Sequence, residues 1–130
     1  MKRRIWILLL AGVCMLGLSC QNNKKKNTPE AVTEAFAKAF YTADFTHMYE
    51  YTTKKSQVAV KTMQNAMKDQ QEKLEEIKNN KVVFVSTSVD DLTDSTASCT
   101  TKVTLNDVPR EDHWDLLKEN DEWKVTLVLP

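Results

Sequence analysis

Tyr41, Asp44, His47, Tyr49 and Tyr51 fall close together in the chain, and His113 and Asp115 form a second titratable group further on. An Asp or His set in an apolar pocket can exchange a proton with a substrate, and a Tyr beside it can steady a developing oxyanion. That is the chemistry these residue types would do, but their spacing assigns them no roles. Asp44 stands where a helix cap is needed, Tyr49 where a core or rim residue is needed, and His113 precedes the core-like Trp114. Tyr41, His47, Tyr49, Tyr51 and His113 are therefore read as residues of a cavity or its rim, with no catalytic residue assigned.

Other chemistries find less support. A metal needs several converging ligands, and His47, His113 and Cys99 are scattered, with no CxxC, HxH or HExxH spacing. Asp90-Asp91-x-x-Asp94 is acidic enough to draw Ca²⁺ but lacks the glycine and the closing Glu of an EF-hand loop, so it reads as a solvated turn. No glycine follows Gly17, which removes phosphate-cradling loops and nucleophile elbows. Neither a metal nor a cofactor is expected. Six of the 18 basic residues precede residue 28, leaving 12 against 18 acidic ones and a formal charge of −6 over residues 28–130. Such a domain repels phosphate backbones, so nucleic acid is not an expected partner.

The chain opens with Lys2, Arg3 and Arg4, then an uncharged, almost wholly apolar run over residues 5–18. A membrane-crossing helix needs about 20 apolar residues, and this run is too short. Its length and its basic flank are those of a signal peptide over residues 1–19. Leu16-Gly17-Leu18-Ser19-Cys20 resembles the lipobox of bacterial lipoproteins: Ser19 matches the small residue and Cys20 the lipidated one, while Gly17 stands where a Leu is usual. Acyl chains on Cys20 would hold the protein to a membrane more firmly than one chain could. Residues 20–27 then read as a lipidated, solvated tether, and Lys24, Lys25 and Lys26 favour a periplasmic over a surface location. With Cys14 removed and Cys20 acylated, Cys99 is left alone, and its place in an alternating run marks it as a small buried hydrophobe.

The elements that would position the titratable groups begin at Thr28-Pro29-Glu30, a hydroxyl cap, a proline at the first helical position and an acid facing the helix dipole. Val32, Ala35, Phe36, Ala39 and Phe40 then make one apolar stripe. Asp44 can cap a second, short helix over residues 45–51. A long third helix is expected over residues 56–79, where Val60, Met63, Met67, Leu74 and Ile77 keep a narrow stripe that Gln70 interrupts. That stripe could pack on the chain's own sheet or form a seam between two copies.

Beyond Asn80 the period changes to two. Strands are expected over residues 81–89, well covered on both faces, and over 96–105, 110–118 and 122–129, joined by turns at 90–94, 106–109 and 120–121. Helices on one face of a curved antiparallel sheet make an α+β domain over residues 28–130, with Phe36, Phe40, Trp114 and Trp123 buried together.

Thr28-Pro29-Glu30-Ala31-Val32, Phe36, Phe40, Ala43-Asp44-Phe45 and Tyr49, with Leu117 to Val125 at the other end, resemble a family of small bacterial lipoproteins of unknown function. That family has a nuclear-transport-factor-2-like (cystatin-like) domain. The resemblance implies a cone, a curved sheet wrapped around helices, and brings no catalytic residue with it. The expected role is a lipid-anchored, non-enzymatic envelope protein that binds a small apolar ligand or an envelope protein partner. The alternatives are a small enzyme of isomerase or dehydratase type, or an assembly protein forming a homodimer through helix 56–79 or the sheet.

Overall fold

A computed structural model describes residues 27–127. The expected leader, Cys14, the expected acylation site Cys20, most of the expected tether and Leu129 lie outside the described residues. Helix α1 spans Pro29–Tyr41 and starts as its sequence dictates: the Thr28 hydroxyl accepts a hydrogen bond from the Ala31 N–H at 3.2 Å, and Pro29 occupies the first turn. Its end is less ordinary. The Asp44 N–H bonds the Ala39 carbonyl at 2.9 Å and the Ala43 N–H the Phe40 carbonyl at 3.4 Å, a Schellman closure. The residue held left-handed there is Ala43, at φ 53°, where glycine is the usual choice.

Helix α2, Phe45–Tyr51, follows at once, capped by Asp44, and seats Met48 in the core. Thr52 then forms a parallel bridge with Val125, and the Thr53 N–H bonds the Val125 carbonyl at 2.9 Å, so this segment covers the outer edge of the last strand. Asn27 adds to the cover: its side-chain carbonyl accepts from the Trp123 N–H.

The single helix expected over 56–79 is two. Helix α3 spans Gln57–Ala66 and buries Ala59 and Val60; helix α4 spans Gln71–Lys78 and buries nothing. The break falls at residues 67–70, where the apolar stripe has Gln70 in place of a packing residue. The Lys68 carbonyl, freed by the break, is taken up by the Gln71 side-chain amide at 2.9 Å. Among the described residues four helices, not three, therefore precede the sheet, and no continuous seam runs the length of residues 56–79.

Strands β1 (Val82–Leu92), β2 (Thr96–Leu105), β3 (Val108–Glu119) and β4 (Glu122–Thr126) form one antiparallel sheet in the order β1-β2-β3-β4. The two tight hairpins turn on Asn106-Asp107 and Asn120-Asp121, all four residues at positive φ, as the inverted two-residue turn requires. Val108 and Pro109 belong to β3 and not to the turn, and Asp90 and Asp91 belong to β1.

Strand β1 is not the well-covered strand its composition suggests. It is an edge strand, and α1 covers the sheet from one side only, leaving Val83 and Val85 at 45% and 66% exposure. Two bulges, between Phe84 and Ser86 and between Val89 and Asp91, distort this edge, which discourages pairing with another chain.

The core lies between α1 and the concave face of the sheet. Phe36 is fully buried, with Trp114 edge-on at 5.4 Å, and Phe40 meets the same indole at 5.6 Å. Cys99, Val103, Leu116 and Val125 close the layer from the strands, and Trp123 lies in the same cluster. Cys99 is a free, fully buried thiol, and burial raises its pKa.

Candidate functional site

The cap that starts α2 also builds a cluster. Asp44 Oδ1 accepts the His47 backbone N–H at 3.3 Å, and Oδ2 lies 2.6 Å from His47 Nδ1. One turn on, the Tyr51 ring stacks on the imidazole at 6.4 Å. Asp44, His47 and Tyr51 are thus brought together, beside a shallow hollow of about 250 Å³ also lined by Ala35, Lys38, Ala39 and Thr42. With Nδ1 on the carboxylate, Nε2 points elsewhere, the orientation a general base needs. However, both side chains are about half exposed, at 43% and 55%, so water competes for every proton.

The remaining candidates go elsewhere. Tyr49 packs against the core, with Lys61 Nζ 5.4 Å from its ring centroid. His113 and Asp115 face away from the helices: His113 Nδ1 meets Thr100 Oγ1 at 2.8 Å, and Asp115 accepts from Ser98 at 3.1 Å. Tyr41 enters the core beside Trp114, and its hydroxyl donates to Asp112.

Asp112 and its neighbour Arg110 escaped the sequence reading, although they share the inward parity of Trp114 along β3. Arg110 Nε donates to the same carboxylate at 2.7 Å while its guanidinium lies over the Tyr41 ring at 5.2 Å. Burial first, and then the bond to Asp112, pushes the Tyr41 phenol from 10.0 up to about 12. Burial works to raise Asp112, but the hydrogen bonds from Arg110 and Tyr41 outweigh it and hold the carboxyl below its usual range. The phenol keeps its proton and the carboxylate stays ionised at neutral pH, so neither exchanges protons readily there. Alongside, Trp114 Nε1 donates to Thr101 Oγ1 at 2.9 Å. These groups close off the end of the aromatic core.

Open space lies outside the cone. A cleft of about 570 Å³ runs between the α1–α2 corner and the arm made by α3 and α4. Ala43, Phe45, Met67 and Leu74 supply its apolar lining, and Lys68 and Lys78 bring positive charge. Asp44 lies between this cleft and the smaller hollow, lining both. No sequence motif marks the cleft, because its two walls, residues 42–46 and residues 64–78, are brought together only by the fold. Among the described residues there is no grouping of three or more His, Cys, Asp or Glu side chains that could hold a metal, and no helix long and apolar enough to cross a membrane.

No family model matches the chain, and no curated protein matches it. Among solved structures, it is similar to a crystal structure from Campylobacter jejuni described as a "putative NTF2-like transpeptidase". The TM-score is 0.51 at 15% identity, over 78% of this chain and 99% of that one. At that identity the likeness is one of fold: the domain is α+β and nuclear-transport-factor-2-like in fold, with four helices and an open, curved four-stranded antiparallel sheet among the described residues.

Proposed function

We propose that this chain is a lipid-anchored protein of a bacterial cell envelope, facing the periplasm, whose domain binds a partner or ligand and does not transform it. The observation that carries the binding role is the state of the cone. Phe36, Phe40, Tyr41 and Trp114 fill the space a substrate would occupy, and the acid–base groups at its end, Tyr41 and Asp112, are committed to each other and to Arg110. Accessible volume lies instead outside the core, and the cleft beside the helices is part of it. The anchor is supported by the lipobox resemblance at Ser19-Cys20 and the short apolar leader before it. The membrane partner would then be reached through lipid on Cys20.

Cys20→Ala tests the anchor. The parent chain should fractionate with membranes and carry acyl mass at its N-terminus, and the variant should lose both. An unchanged membrane fraction sinks the anchored reading. A second reading, acid–base catalysis of isomerase or dehydratase type, draws on the Asp44–His47 pairing. It requires His47→Ala to abolish turnover of some carbonyl substrate, whereas a binding domain has no turnover to lose.

A further inference from the structure

Resting on the reading of the domain as a binding module, we propose that the cleft between the α1–α2 corner and the α3–α4 arm takes a single-chain amphiphile with a carboxylate headgroup. Its apolar lining is continuous with the fold's interior, because Phe45 packs against the core while also facing the cleft. Met67 and Leu74 bring the apolar surface up onto the α3–α4 arm, and a methionine adapts to a flexible chain better than a branched residue would. Helix α4 buries none of its residues, so Leu74 and Ile77 remain only half covered within the chain itself.

The charge around this lining is specific. Lys68 stands at the helix break and Lys78 in the last turn of α4; neither forms an ion pair among the described residues. The one carboxylate in the lining, Asp44, is occupied by the His47 ring and backbone N–H. Two unpaired lysines beside a cleft whose mixed wall carries an apolar strip, on a domain with a formal charge of −6, mark a place for a negative group joined to an apolar tail.

Volume and wall chemistry favour a small amphiphile over an acidic peptide. A cleft of about 570 Å³ lies inside the range of roughly 300–1,000 Å³ typical of small-ligand sites. Most of its wall is helix, with backbone groups already bonded within the helices, and so offers an extended peptide little to pair with.

The test uses membranes carrying the full chain, treated with hexadecanoate bearing a photoreactive diazirine in its tail, irradiated, and mapped by mass spectrometry. Hexadecanol with the same diazirine is the neutral control. Adducts should concentrate at Phe45, Met67 and Leu74, with the alcohol labelling them about fivefold less. Lys68→Gln with Lys78→Gln should lower labelling by the acid by a similar factor and leave labelling by the alcohol unchanged. Both lysines are exposed, so the double variant spares the core. Equal labelling by acid and alcohol, adducts spread evenly over the surface, or indifference to the double variant would overturn the proposal. So would displacement of the probe by an acidic peptide but not by unlabelled hexadecanoate. Cys20→Ala reports separately: retention in membranes defeats the anchor while cleft labelling stands, and loss of cleft labelling defeats the ligand while the anchor stands.

Discussion

The half of the molecule built from α1 and the sheet differs from the arm made by α3 and α4 in what its side chains are given to do. In the first, Phe36, Trp114 and Val125 are almost wholly removed from water. In the second, burial ends at Val60, and α4 has no buried residue at all. Similar apolar stripes can therefore serve opposite purposes: the one on α1 is spent on stability, and the one on α4 is left largely unspent at the edge of a cleft. A fold that fills its own cone has to look elsewhere for a surface to offer.

Four experiments would break or sharpen that contrast. The largest effect should come from Phe36→Ala, which removes a fully buried ring from contact with Trp114 and should cost about 3–5 kcal/mol in chemical denaturation. A cost below about 1 kcal/mol would show that the aromatic cluster is not the stabilising half.

Next comes Tyr41. Its folded pKa, about 12, lies above its ordinary 10.0, so the stabilisation is complete below pH 10 and is lost as pH rises towards 12. Denaturation midpoints across that window should show about 2–3 kcal/mol of loss in the parent. In Tyr41→Phe, less stable at neutral pH, that part of the slope should be absent. An identical alkaline slope in both would remove Tyr41 from the account. The smallest effect is expected for Leu74→Ala in α4, under about 1 kcal/mol. Amide exchange should also be faster throughout α4 than in α1. Slow exchange in α4 would mean that the arm is held as firmly as the core.

Much of this architecture was legible in local residue chemistry. Thr28-Pro29-Glu30 announces α1, the alternation Ala97, Cys99, Thr101, Val103 gives the buried face of β2, and Asn120-Asp121 gives the last hairpin. What escaped depends on neighbours distant in sequence. The exposure of Val83 and Val85 follows from β1 standing at an open edge, which composition does not encode. The split at residues 67–70 follows from one missing packing residue, a weak signal within a strongly helical stretch. For the candidate site, the grouping of His47 and Tyr51 could be read from helical spacing, and Asp44 from its capping position. The union of Tyr41 with Asp112 spans 71 positions of chain and could not. Nor could the cleft, whose walls come from segments some twenty residues apart.

The absence of glycine after Gly17 has a thermodynamic consequence. Ala43, Asn106, Asp107, Asn120 and Asp121 all adopt a backbone conformation that glycine would enter freely, and Ala43 does so at the steepest steric penalty. Yet the same residues also wander less than glycine when the chain is denatured. Less disorder is surrendered at each reversal on folding, so part of the strain in the turns is returned through the unfolded ensemble.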